Sequence, residues 1–310
     1  MIHVLNVVLP VFAIILAGYA SGRFRWLGEA STDALNRFVY YCALPALFFG
    51  SLARIDPERI FEPSFLAAYT GGQFAVFVAA FGFARVAFKN SPAEASLFAM
   101  GGIFANSGYI GVPLALVAFG AEGIPPTIVA TVFMTMIFIA IVTVLIETDP
   151  LRRTDGARIA SDAARAVLLS PLVMSGLVGL LWSLTGLGLP QSAATFFDLL
   201  GTAAGPCALF AIGLFLVGKP VRQDLGEVGA MVAIKLLVHP FVTWVLAFHV
   251  FAVESTWATV AVVMAALPAG ANCFVVAQRY GVYVQRASSG ILISTALSVV
   301  TVSILFLFWI

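Results

Sequence analysis

Charge is what this chain of 310 residues has least of. Asp, Glu, Lys and Arg together make up 10% of it, against about 25% in a soluble domain. Hydrophobic residues make up 61%, and the mean hydropathy is +1.04. With 16 Lys and Arg and 15 Asp and Glu, a soluble fold of this size would leave large apolar patches bare. The chain therefore reads as an all-α polytopic membrane protein in contact with a lipid bilayer. A net charge of +1 offers no electrostatic footprint for a nucleic acid, so none is expected as a partner. Cysteine is scarce too. Cys42, Cys207 and Cys273 lie in apolar runs, none with a second Cys or a His at metal-ligand spacing. They read as small buried hydrophobes, and neither a metal nor another cofactor is expected. No Lys or Arg precedes the first apolar stretch, which reads as the start of a span rather than as a signal peptide. HExxH, paired intramembrane Asp and a Ser/His pair at depth are all missing, which argues against an enzyme.

A spanning helix needs roughly 20 mostly apolar residues. Ten stretches qualify: 4–20, 37–53, 64–84, 95–119, 125–146, 166–187, 195–217, 229–252, 257–278 and 287–309. The breaks between them carry the charge, and the longest lies at mid-chain, residues 147–165. Threaded through ten spans, 13 Lys and Arg fall on one side, while Arg54 and Arg59 fall on the other and Lys235 lies inside a span. The positive-inside rule makes the first side cytoplasmic and both termini extracytoplasmic.

A shift of 161 residues overlays the two halves. Pro10 falls on Pro171, Gly18 on Gly179, Pro45 on Pro206, Ala105 on Ala266 and Phe119-Gly120 on Tyr280-Gly281. Five spans per half is an odd number, so the halves insert in opposite orientations. The expected domains are a first inverted repeat at 1–146, a cytoplasmic linker at 147–165 and a second inverted repeat at 166–310. Inverted repeats mark secondary transporters.

The fourth and ninth spans are equivalent under this shift, and both are interrupted. Asn106, Gly108, Gly111 and Pro113 cluster in GGIFANSGYIGVPLALVAFG; Pro268, Gly270 and Asn272 cluster in VVMAALPAGANCFVVAQRYG. Proline removes a backbone donor and glycine permits unwinding. Backbone freed at the membrane midplane is tolerated beside a polar cavity or inside protein, so the two breaks are expected to meet and form a site.

Both segments resemble the auxin efflux carrier family. ANSGYIGVPLALVAFG is similar to its fourth-helix signature, and ALPAGANCFVVAQRYG to its ninth. The resemblance covers the whole chain. It implies a fold similar to the bile acid sodium symporters. Helices 1, 2, 6 and 7 would be a scaffold that forms a homodimer. Helices 3–5 and 8–10 would be a moving transport domain, with helices 4 and 9 crossing at Pro113 and Pro268. Asn106 and Asn272 would be the polar groups beside the crossing, and the cargo a small organic anion such as auxin, malate or malonate. A second Asn of the fourth-helix motif is replaced here, with Tyr109 nearby, and the central loop is short; both turn the expectation away from auxin itself. The setting is expected to be a bacterial inner membrane.

An anion suits the physics. A half-helix that starts at a break aims free N–H groups and its positive dipole end at the midplane. Asn272 stands at such a start, and Pro113 suits a first-turn position in the other half-helix. Three further polar residues within spans are candidates. Lys235 and His239 share a helical face, and Lys235 is also close enough to the cytoplasmic end to snorkel. Gln73 is one residue from the repeat equivalent of Lys235. Met100, Met134, Met136 and Met264 read as core filler. The main alternative is a sodium-coupled symporter of the bile acid type; the lack of Asp or Glu deep in any span argues against it. A channel is a weaker one.

Overall fold

The computed structural model describes residues 2–54, 62–149, 161, 168–218 and 224–309. Arg59, Arg152, Arg153, Arg158, Arg165, Lys219 and Arg222 of the basic count, and most of the 147–165 linker, lie outside the described residues. Every regular element among them is helical. They are α1 (Ile2–Arg23), α2 (29–52), α3 (Pro63–Ala87), α4 (Pro92–Ile103), α5 (107–119), α6 (Ile124–Glu147), α7 (Pro171–Leu184), α8 (Gln191–Leu216), α9 (Leu225–Val250), α10 (Ser255–Ala266), α11 (Asn272–Tyr280) and α12 (Val284–Trp309).

Local chemistry sets several of the starts. Ser91 accepts the Glu94 N–H while Glu94 accepts the Ser91 N–H, a reciprocal cap before α4, and Pro92 occupies the first turn. Ser170 caps α7 ahead of Pro171, and the Glu254 carboxylate takes the N–H groups of Thr256 and Trp257 at the start of α10. Helix α2 begins earlier than the apolar run alone predicts. Its first turns are polar and carry an Asp33–Arg37 ion pair one turn apart, 3.0 Å.

Among the described residues, five segments are long and apolar enough to cross a membrane, by length and composition: Pro63–Ala87, Ser107–Glu147, Gln191–Leu216, Leu225–Val250 and Val284–Leu307. The other expected stretches fall short individually for identifiable reasons. The fourth and ninth are cut by breaks into α4 and α5 and into α10 and α11, and α2 gains polar turns. For α1 only Leu9–Arg23 is described with its side chains, and for α7 residues 162–167 ahead of it lie outside the described set.

Helices α1, α2, α7 and α8 pack on one another. Two close approaches there are related by the 161-residue shift. A Cβ on Gly18 of α1 would collide with the Phe210 carbonyl of α8, and a Cβ on Gly179 of α7 would collide with the Phe49 carbonyl of α2. The shift carries Gly18 to Gly179 and Phe49 to Phe210. Small residues let backbones meet where the hydrophobic effect offers helices no preference over lipid.

Helices α3, α4, α9, α10 and α12 pack among themselves, and α6 joins them against α4. At one end of this group a polar cluster ties three elements together. Arg286 of α12 pairs with Asp224 (2.8 Å), Glu227 (3.2 Å) and Glu94 (3.5 Å). The Tyr283 hydroxyl and the Asn90 amide both donate to Glu227, at 2.9 and 2.6 Å. Burial and the Glu227 carboxylate hold the Tyr283 hydroxyl protonated, well above the ordinary tyrosine range.

Candidate functional site at two broken helices

Helix α4 ends at Ile103, and Phe104 turns to extended backbone (φ −73°, ψ 107°) before the chain re-enters a helix at Ser107. Helix α10 ends at Ala266. Leu267, restricted by the proline that follows it, is extended (φ −63°, ψ 154°), and α11 begins at Asn272. The two interruptions meet. The Asn106 N–H donates to the Pro268 carbonyl and the Gly270 N–H to the Phe104 carbonyl, both at 2.9 Å, which pairs Ala105 with Ala269 in an antiparallel bridge. Two further freed donors find side chains. The Ala269 N–H reaches Ser294 Oγ of α12 at 3.0 Å, and the Ala105 N–H reaches Met134 Sδ of α6 at 3.4 Å. Unwound backbone is thus satisfied inside protein, as an apolar environment requires. Gly270 is needed for the approach, because a Cβ there would stand 2.8 Å from the Ala105 carbonyl oxygen.

Six of the nine predicted residues lie on or along this junction. Pro268 is in the break and Asn106 immediately precedes α5, both buried. Gly108 and Tyr109 belong to the π-turn Ser107–Gly111 that opens α5. Gly108 abuts Leu44 of α2, and the Tyr109 hydroxyl donates to the Asn36 carbonyl of the same helix at 3.5 Å. Asn272 is the first residue of α11 and is half-buried. Pro113 stands in the first turn of the α-helical stretch Val112–Phe119, the position expected of it, and the π-turn Ser107–Gly111 leads into that stretch. The π-turn ahead of it, in which the Val112 N–H bonds the Ser107 carbonyl, accommodates the proline. Pro113 rests against Gly205 of α8.

The other three lie deeper among α3, α9 and α10. Lys235 does not snorkel. It is wholly buried, and its Nζ donates to the Ala265 carbonyl in the last turn of α10 at 2.5 Å. His239 Nδ1 is 3.3 Å from the same Nζ. Gln73 is also wholly buried, and neither end of its amide has a partner among the described residues. Its neighbour Gly72 abuts Thr243 of α9, but no contact brings the Gln73 amide to Lys235. The hydroxyls of Thr135 and Thr243 and the Nε2 of His239 are likewise buried without partners among the described residues. Sequence reasoning did not single out Ser294 and Ala265, and it read Met134 as filler. A serine or methionine in an apolar run carries no local signal that it faces a freed amide. Of the cysteines, only Cys273 is buried; Cys42 is exposed and Cys207 half-buried, because their helix faces point outward.

A cavity of about 1360 Å³ lies between α1, α2, α5 and α8. Of the nine predicted residues only Pro113 lines it. Its charged lining is Arg54, Glu62, Glu122, Asp198 and Glu254, with Arg54 paired to Asp198 at 2.8 Å. Among the described residues no three of His, Cys, Asp and Glu cluster as a metal would require.

A family described as "Membrane transport protein" matches residues 3–306. The chain belongs to this family, and it is a multi-pass membrane transporter. It is 32% identical over 303 residues to a protein of Rhizobium meliloti (strain 1021) named "Putative malonate transporter", covering 98% of this chain and 95% of that one. It is 26% identical over 300 residues to "Uncharacterized transporter YfdV" of Escherichia coli (strain K12), covering 94% and 93%. Auxin efflux carrier component 5 of Arabidopsis thaliana is 20% identical over 332 residues, covering 95% and 93%. These names agree with the resemblance read in the fourth- and ninth-span motifs, and they are names of transporters rather than enzymes.

Proposed function

We propose that the protein is a secondary carrier that moves a small organic anion across the membrane by alternating access. The cargo class is a short carboxylate, and the name of the Rhizobium relative points to a dicarboxylate of malonate size. In this reading ten spans form two inverted five-helix repeats. Helices α1, α2, α7 and α8 are the scaffold and form the homodimer contact; α3–α6 and α9–α12 move against it. The setting is the bacterial inner membrane, with both termini extracytoplasmic.

The observation that carries the reading is the junction itself. Two interrupted helices pair backbone to backbone at Ala105 and Ala269, and two half-helices, α5 and α11, start beside that point. Each start contributes roughly +0.5 elementary charge from aligned peptide dipoles. Asn106 and Asn272 stand at those starts with side chains that donate hydrogen bonds without carrying charge. The shift-related contacts of Gly18 with Phe210 and Gly179 with Phe49 support the repeat. The contacts of Gly108 and Tyr109 with α2 and of Pro113 with α8 support a sliding surface between the two helix groups.

Thermal unfolding of the purified protein against a panel of carboxylates tests this reading. A cargo that binds the folded protein raises the melting temperature, by more the further its concentration exceeds its Kd. A rise with malonate or another short carboxylate, followed by uptake of the same compound into proteoliposomes, is the expected result. A rise with amines or neutral solutes and none with carboxylates contradicts it.

A further inference from the structure

The cavity between α1, α2, α5 and α8 has an imbalance of charge. Among the described residues that line it, four carboxylates face one cation, Arg54. Arg54 follows α2, Glu62 precedes α3, Glu122 lies between α5 and α6, and Glu254 precedes α10. These positions share one end of the helix bundle, the extracytoplasmic end in the proposed topology. Two of the carboxylates already serve the fold: Glu254 caps α10, and Glu62 accepts from the Ser64 hydroxyl. Asp198 of α8 is different. Its two oxygens accept from Arg54 at 2.8 and 3.1 Å, and the guanidinium also donates to the Ala194 carbonyl at 3.1 Å. This is the two-pronged grip that an arginine can give any carboxylate. The grip is open to exchange, because the two side chains are 39% and 60% exposed and an exposed ion pair adds little stability. Along α8 the cavity runs from Asp198 past Gly201 to Gly205, where Pro113 of α5 rests. Seven residues of helix span about 10 Å, more than a short carboxylate can bridge. An entering cargo therefore meets Arg54 first and α5 afterwards.

We infer that Arg54 is the capture residue of this cavity: a carboxylate cargo entering from the extracytoplasmic side replaces Asp198 on the guanidinium before it moves on to the helix breaks, and Asp198 stands in for the cargo until then. An anion in this lining is repelled by every other charged group and attracted by the guanidinium alone. Asp198 sets how readily the guanidinium is given up, so the two residues act on cargo affinity with opposite signs. The inference rests on the carrier reading above and adds to it a specificity-determining residue away from the breaks.

Exchange of malonate tests it, in right-side-out membrane vesicles that hold the full chain and are preloaded with unlabelled malonate. The KM for labelled malonate outside is measured for wild type, Arg54→Gln and Asp198→Asn. Arg54→Gln removes the charge and keeps hydrogen-bonding capacity; it is expected to raise KM roughly tenfold. Asp198→Asn frees the guanidinium of its competing charge and is expected to lower KM, by roughly two- to fivefold, the worth of an exposed ion pair. A pair that merely clasps α2 to α8 would not produce that opposite sign. KM raised in both variants would make the pair such a clasp and overturn the inference. KM unchanged in both would overturn it too, and in either case the carrier reading stands because wild type still exchanges malonate. If wild type exchanges neither malonate nor another short carboxylate, the carrier reading fails and takes the inference with it.

Discussion

The Asn106 N–H meets the Pro268 carbonyl at 2.9 Å, across 162 residues of sequence. That separation is within one residue of the 161-residue shift that overlays the two halves of the sequence, so in the proposed repeat the bond joins near-equivalent points. Each break leaves amides and carbonyls that its own helix cannot satisfy, and each supplies part of what the other lacks.

Gly270→Ala tests how tightly the two breaks are held. The new Cβ would press on the Ala105 carbonyl, which is backbone and cannot swing aside. Overpacking of this kind costs about 1–3 kcal/mol. We expect a lower melting temperature and a loss of uptake together. Unchanged values of both would mean that the two interrupted segments are free to part.

Ser294→Ala removes the acceptor of the Ala269 N–H inside the protein. A buried donor left unpaired costs about 1–3 kcal/mol, so this variant should unfold at lower denaturant concentration. Ser298→Ala, one turn on, serves as control. Among the described residues the Ser298 hydroxyl bonds only the Thr295 carbonyl within its own helix, so the loss there should be smaller.

Gly18→Ala and Gly179→Ala push on contacts related by the repeat. Each should lower the melting temperature, Gly18→Ala the more, since each new methyl meets a phenylalanine carbonyl on the neighbouring helix and the one at Gly18 would overlap it more deeply. A large loss at one position and none at the other would contradict a common origin for the two contacts.

Much of this was legible in the sequence because the membrane constrains it so strongly. The shortage of charge declares the class, and the apolar runs place the helices. Proline and glycine at Pro268 and Gly270 mark one break directly. Pro113 stands where its type suits it, in the first turn of the α-helical stretch Val112–Phe119, but nothing local announced the π-turn Ser107–Gly111 ahead of that stretch. Lys235 could be read as buried or snorkelling, since stem length permits both; the deciding fact is the Ala265 carbonyl thirty residues away on α10, to which its Nζ donates. Ser294 and Met134 were not legible as partners of the breaks, because which amide a helix frees depends on tertiary packing rather than on local spacing.

The orientation proposed from the basic residues is checked at Ser161, an exposed position in the central linker. In a background without Cys42, Cys207 and Cys273, Ser161→Cys should resist a membrane-impermeant thiol reagent in intact cells and react once the cells are opened. Labelling in intact cells would reverse the topology.

The central claim is a carboxylate held between the starts of α5 and α11, and binding of malonate to three proteins tests it most directly: wild type, Asn272→Ala and Asn272→Asp. Loss of one directional donor to a buried carboxylate costs about 1–3 kcal/mol, so Asn272→Ala should bind roughly ten- to a hundredfold more weakly, each 1.4 kcal/mol being about tenfold. Asn272→Asp adds like charge beside the anion and should bind more weakly still. Equal affinity in all three, or tighter binding by the aspartate variant, would contradict an anion site at this junction.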